Sequence, residues 1–220
     1  MGPKYLHGIL YILTLNIEVK IKKMEHFTQK TFSISELSGI STKNIEEHLK
    51  LYAGYVKFSN HILNQINEFA KDSEKYAYEL GELQRRFAFE FDGMRNHEYY
   101  FHSLEGGAKN LPEESQLKKA IEKEWGSFDA WLARFKSIAM TRGVGWAILY
   151  YDAQSGHLLN QWVEEQHLGH LTGLSPVLAL DMWEHAYVYD YPTSQKKDYV
   201  EAFFANLNWE VIEDNFKKSI

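Results

Sequence analysis

The sequence predicts an α+β protein, in which an N-terminal helical hairpin lobe precedes an α/β lobe with a small three-stranded antiparallel sheet. Three observations carry this expectation. Residues 24–107 read as helical, with apolar side chains recurring at helical spacing. "EGGAKNLPEES", residues 105–115, punctuates the chain with paired glycines and a proline followed by acids. Beyond it, "GWAILYY" and "HLLNQWVEE" alternate in period two on either side of the turn-rich "DAQSGH", and "PVLALD" adds a third apolar run.

In the first helix, Ile45, Leu49, Tyr52, Val56, Ile62 and Ile66 fall close to helical spacing. Ser41 or Thr42 can cap its start, with Glu46 and Glu47 in the first turns. A second helical stretch runs from about Lys71 to Ser103. After the linker, "LPEESQLKKAIEKEWGSFDAWLARFKSIAM" gives two short helices broken near Gly126 and Ser127. Three strands follow, and a last helix covers about Lys197 to Leu207. The division is therefore an extension over 1–23, a helical lobe over 24–107 and an α/β lobe over 108–220, with no internal repeat.

Composition removes several classes of function. The chain of 220 residues has no cysteine, which excludes disulfides, thiolate metal sites and cysteine nucleophiles, and suits a reducing cytoplasm. Ten histidines leave imidazole and carboxylate as the strong metal ligands. A formal charge of −6 argues against nucleic acid as a partner. No run approaches the roughly 20 apolar residues of a membrane span. The apolar stretch from Ile9 to Leu15 lacks a small-residue cleavage site, so it reads as an extension upstream of Met24 rather than a signal peptide.

"LALDMWEHAYVYDY", residues 178–191, poses the chemical question: an apolar run ends on Asp181, and His185 follows with Trp183 and Glu184 between. A carboxylate and an imidazole delivered by one rigid segment suit a divalent or trivalent metal. His97, in "MRNHEYYF", lies mid-helix among aromatics, and His48, in "IEEHLKLY", lies near the start of the first long helix. Any one of these histidines alone reads as packed or hydrogen-bonded, since most buried polar groups find a partner.

Taken together, "DMWEHAY", "NHEYYF" and "IEEHLKLYAGYV" resemble the ligand-bearing segments of the iron/manganese superoxide dismutase family, with "WGSFDAW", "GVGWAILYY" and "DYVEAFFANLNWEVI" as supporting matches over roughly residues 30–216. The resemblance implies a mononuclear site between the two lobes, with His48, His97, Asp181 and His185 as ligands and a water or hydroxide as the fifth. A metal cation would then neutralise Asp181. It implies superoxide as substrate, converted to dioxygen and hydrogen peroxide at one iron or manganese ion per subunit. Tyr55 would be the proton-relay tyrosine and Trp183 would wall the site, with Phe101 and Phe128 packing nearby. Iron-type members often supply a glutamine four residues before the second histidine; here that position is Gly93, so Gln166 is expected to hydrogen-bond the bound solvent, with neighbouring His167 as the other register. Gly93 together with Gln166 tilts the expectation towards manganese. Glu184 implies a homodimer or a tetramer, and Gln195-Lys196-Lys197 resembles the family's basic entrance segment.

Two departures stand out. His48 and Tyr55 are seven residues apart where the family usually has eight, which leaves Glu47 as a rival ligand position. The gateway histidine is absent, with Leu51 and Tyr52 in that stretch, and its usual tyrosine partner is Val188. A metal-binding protein on this fold that no longer turns over is the alternative that the short spacing supports. A di-iron bundle needs two Glu-x-x-His pairs on helices, and the only such pair, Glu164 with His167, falls on an expected strand. His167 and His170 read as members of a solvated loop.

Overall fold

The structure, a computed structural model, describes residues 26–220, so the expected extension over 1–23 lies outside the described residues. Helix α1 spans Thr42–Phe69 and begins where Ser41 accepts a hydrogen bond from the Asn44 amide at 3.1 Å. Helix α2, Ala77–His102, follows a short 3₁₀ turn over Ala70–Asp72. His48 meets Phe101, Tyr52 meets Glu98 and Tyr55 meets Phe89, so the two helices run antiparallel.

Residues 26–41 were expected within the helical stretch, and they form an extended strap instead. Their backbone groups are claimed by side chains far along the chain. The Phe27 amide donates to Asn60 at 2.8 Å and the Phe27 carbonyl accepts from the same side chain. The Lys30 amide donates to the Tyr52 hydroxyl at 2.9 Å, and the Ser33 amide donates to Glu105 at 2.8 Å. Tertiary partners of this kind outweigh a local helical preference of a few tenths of a kcal/mol per residue, about 0.7 at most.

Helices α3, Gln116–Trp125, and α4, Phe128–Ala139, meet at Gly126, whose φ of 84° is the left-handed geometry that ends α3. Ser127 then caps α4 by accepting from the Ala130 amide at 3.1 Å. Strands β1, Gly145–Asp152, β2, His157–Glu164, and β3, Ser175–Asp181, form one antiparallel sheet in the order β2-β1-β3. The central position of β1 explains why Trp146 to Tyr150 are all buried. Helix α5 covers Lys196–Ala205.

A further helix, α6 over Trp209–Ser219, lies beyond the helix that the sequence reading took as last. Its signal was present: Asn208 caps it by accepting from the Glu210 amide, and Trp209, Ile212 and Phe216 are buried at helical spacing. Among the described residues no helix is long and apolar enough to cross a membrane.

Buried Glu213 ties α6 to α3, because its carboxylate accepts from the Gln116 and Leu117 amides at 3.0 Å each. These are two of the donors that the first turn of α3 cannot satisfy internally. Glu213→Ala should therefore lower stability by about 1–3 kcal/mol in urea unfolding. Glu213→Gln should recover part of that loss, because its amide oxygen can still accept.

Candidate metal centre

Asp181 is the last residue of β3, paired across the sheet with Trp146 on β1, and it has no exposed surface. Two hydrogen bonds fix its position: carboxylate Oδ1 accepts from the Trp183 amide at 2.8 Å, and the main-chain carbonyl accepts from the Tyr199 hydroxyl at 2.9 Å. Oxygen Oδ2 is left for the site. The Nε2 atoms of His48 on α1, His185 just beyond β3 and His97 on α2 approach it to 3.0, 3.1 and 3.5 Å. The ligand atoms of these four residues all lie within 4.8 Å of one another. Asp181, His48 and His97 are fully buried, while His185 keeps one-fifth of its side chain exposed.

The protonation pattern tests whether a cation fits here. The Nδ1 of His97 donates to the Gly93 carbonyl at 2.5 Å, so a neutral imidazole presents a bare lone pair on Nε2. That nitrogen is buried without a partner and faces a carboxylate oxygen. Two acceptors facing each other in a dry site repel unless a cation lies between them. Burial, with His48 next in importance, pulls the His97 pKa down to about 3, and burial likewise lowers that of His48; both favour the neutral ligand form. Burial works against the Asp181 anion, but His185 and His48 hold it below the usual carboxylate range. Three imidazoles and one carboxylate are a suitable donor set for iron or manganese.

Helix α1 delivers His48 and Tyr55 to this cluster together despite the seven-residue spacing. The Tyr55 ring lies 5.0 Å from that of His97, between centroids, and packs against Gly93. A Cβ at Gly93 would sit 2.6 Å from the Tyr55 ring, so glycine there makes room for the phenol. Glu47, the rival ligand position, points to solvent and pairs with Lys43 at 2.6 Å and Lys50 at 2.9 Å. Tyr52 fills the stretch without a gateway histidine and is fully buried, its hydroxyl donating to Glu98 at 3.3 Å, while Leu51 is exposed.

Gln166 is fully buried with its amide clamped at both ends: Oε1 accepts from Trp146 Nε1 at 2.9 Å, and Nε2 donates to the Tyr55 hydroxyl at 2.9 Å. Both of those partners pack on His97, with ring centroids 5.0 Å away. His167 instead lies against Phe89, 5.6 Å between ring centroids. Burial, followed by Asp181, raises the Tyr55 pKa, so the phenol keeps its proton at neutral pH. Trp183 stacks on His185 at 5.6 Å and anchors its Nε1 on the Glu165 carbonyl at 3.1 Å.

Phe101 packs on His48 at 4.8 Å. Phe128 does not join it, because its aromatic neighbours are Trp131 and Trp209. Sequence reading missed Trp146 and Tyr100, the second lying 4.9 Å from the His48 ring. Alternation along β1 was the available signal for Trp146, since an indole N–H on a buried strand needs an acceptor. The expectation that His170 lies in a solvated loop is also overturned: it is mostly buried and bonded to Tyr150 and Gln166. Lys196 is half-buried, with Nζ 3.3 Å from the Thr141 carbonyl, and Glu184 is exposed.

Comparison with known proteins agrees with this geometry. Residues 112–215 match the family described as iron/manganese superoxide dismutases, C-terminal domain. The chain is 38% identical over 190 residues to "Superoxide dismutase [Fe]" of Aquifex pyrophilus, covering 84% of this chain and 87% of that protein. It is 36% identical over 207 residues to the protein of the same name from Aquifex aeolicus, covering 91% and 93%. "Superoxide dismutase [Mn]" of Mycolicibacterium smegmatis is 34% identical over 170 residues, covering 77% and 80%. Such identity over most of both chains, on a fold that gathers three imidazoles around one buried carboxylate, makes this chain a member of the iron/manganese superoxide dismutase family.

Proposed function

We propose that the chain is a superoxide dismutase holding one iron or manganese ion per subunit on His48, His97, Asp181 and His185. The observation that carries this reading is the approach of three histidine Nε2 atoms to a single oxygen of a fully buried aspartate. When bound, such a metal alternates between two oxidation states and so moves an electron from one superoxide to another, giving dioxygen and hydrogen peroxide.

The protein's own groups supply the rest. Asp181 contributes the single negative charge, and burial keeps the imidazoles of His48 and His97 neutral, which limits the net charge around the metal. Peroxide formation consumes two protons, and the Tyr55 hydroxyl, kept protonated by burial on a ring that packs on His97, is the donor we assign. Gln166 holds that hydroxyl and retains a second N–H for solvent at the metal. Trp183 and Phe89 exclude bulk water, with ring centroids 6.4 Å apart. Exposed Glu184, flanked in sequence by His185 and near exposed Val188 and Tyr189, is the group through which a second copy would reach the ligand set in a homodimer. The absence of cysteine suits a cytoplasmic location.

Loading the metal-free protein separately with iron and manganese, and assaying each form for dismutation, tests the activity directly. The source of the amide, Gln166 rather than α2, leads us to expect the manganese form to be the more active. No activity in either form would sink the dismutase reading and leave a metal-binding protein on the same fold. At the level of ligands, His48→Ala should abolish metal retention, whereas Glu47→Ala should leave a loaded and active enzyme. Metal content per chain after dialysis distinguishes these outcomes, and the opposite pair would move the ligand to Glu47.

Gln166→Leu should keep the fold and lose on the order of 10–100-fold in activity. His167→Ala should stay within a few-fold of the parent, because its ring meets Phe89 rather than Tyr55. Damage from the His167 variant alone would place the tuning group one residue further along the chain.

A further inference from the structure

The segment that carries Gln166 is strained. Glu165 adopts φ 51°, the only non-glycine residue with positive φ among the described residues, a left-handed conformation that L side chains rarely adopt. Such geometry persists only where the surroundings over-determine it. Here the Glu165 amide donates to the Val144 carbonyl at 2.9 Å, and the Glu165 carbonyl accepts from Trp183 Nε1 at 3.1 Å. The next carbonyl, that of Gln166, is gripped twice: by Asn96 Nδ2 at 3.0 Å and by His170 Nε2 at 3.0 Å.

His170 is in turn fixed by its own contacts. Its Nδ1 meets the hydroxyl of buried Tyr150 in a short hydrogen bond. A carbonyl can only accept, so Nε2 carries a proton; in the neutral imidazole Nδ1 is then the acceptor and Tyr150 the donor. One neutral tautomer therefore satisfies both contacts. Burial raises the Tyr150 pKa and keeps the phenol a donor. The Asp92 carboxylate lies 3.9 Å from Nε2, outside hydrogen-bond reach.

We propose that His170 is a positioning residue for Gln166. With Asn96 it holds the Gln166 main chain against the strained turn, so that the side-chain amide stays bridged between Trp146 and Tyr55. Without His170, the carbonyl keeps one donor, the turn relaxes from the Glu165 conformation, and the amide drifts from the two groups that pack on His97. His170 would not touch substrate or metal, and its influence passes entirely through Gln166. The proposal rests on the reading of Gln166 as the group that tunes the metal site, and it adds a layer that the ligand-bearing motifs do not contain.

The test compares His170→Leu, His170→Gln and Tyr150→Phe with Gln166→Asn. Each is read by metal content, melting temperature, electron paramagnetic resonance of the loaded protein and the reduction potential of the metal. His170→Leu should retain metal, lose about tenfold in activity, and shift potential and spectrum in the same direction as Gln166→Asn. His170→Gln, whose amide can still donate to the carbonyl, should return most of both. Tyr150→Phe frees the tautomer without removing the ring and should give a smaller shift in the same direction. A parental potential and spectrum in His170→Leu, with only the melting temperature lowered, would reduce His170 to a packing role. If His170→Leu does not fold, the other two variants decide: parental values in Tyr150→Phe, together with a His170→Gln potential displaced as far as in Gln166→Asn, overturn the proposal. In metal-free protein the NMR signals of the Gln166 side-chain amide should move in the same variants. That measurement holds even if the wild-type chain proves inactive, so failure of the positioning role and failure of the dismutase reading are separable.

Discussion

A carboxylate with no exposed surface ends a strand at the centre of the protein, and three imidazole nitrogens crowd one of its oxygens. Burying an ionised carboxylate costs several kcal/mol unless opposite charge and hydrogen bonds offset it. The Trp183 amide on Oδ1 offsets part of this. It leaves Oδ2 facing imidazoles of which His97, at least, cannot donate to it. A metal cation bound among these groups, as proposed above, would complete the compensation, and the architecture brings those same groups together. Helix α1 must reach the end of β3 with His48, and α2 must lie antiparallel beside it to bring His97. The turn after β3 must double back so that His185 returns to the same oxygen.

One helical turn of α2 serves this centre in several ways. Gly93 accepts the His97 Nδ1 proton through its carbonyl and leaves room for the Tyr55 ring with its missing side chain. Asn96 holds the Gln166 carbonyl, and His97 is the ligand candidate. Residues three and four apart share a helix face, so these roles coincide in space because they recur at 93, 96 and 97. Displacing α2 would disturb His97, Tyr55 and Gln166 at once. That explains why Glu98, buried on the next position, is held so firmly by Lys30 at 2.7 Å and Arg95 at 2.8 Å.

How much was legible beforehand depended on the range of the interaction. The Ser41 cap, the break at Gly126 and the alternation of β1 and β2 are local signals, and each element lies where its own residues put it. A carboxylate and an imidazole four apart at a strand end made Asp181 and His185 legible locally, whereas His48 and His97 stood out only through the family resemblance of their segments. The strap over 26–41 was not, since Asn60, Tyr52 and Glu105 decide its conformation from elsewhere in the chain. Helix α6 was legible in its Asn208 cap and apolar spacing, but its anchor, Glu213 on α3, comes from tertiary contact alone. The placement of Phe128 against Trp209 failed for the same reason: aromatic character says that a side chain packs, not on what. His170 looked solvated because its partners, Tyr150 and Gln166, are aligned only by the sheet and the strained turn at Glu165.

The space above Gly93 has a consequence for how such a chain can change over generations. The Tyr55 ring already fills the volume that even a methyl group on residue 93 would need. A helix-borne amide and one from the loop after β2 would also compete for the single phenol oxygen that Gln166 now occupies. A lineage passing from one source to the other therefore cannot do so by gaining the new glutamine first. Loss of Gln166, or a shift of Tyr55, must come before it, and the intermediate lacks a well-placed amide altogether. The missing methyl group at Gly93 thus ties the source of the amide to the position of the Tyr55 ring.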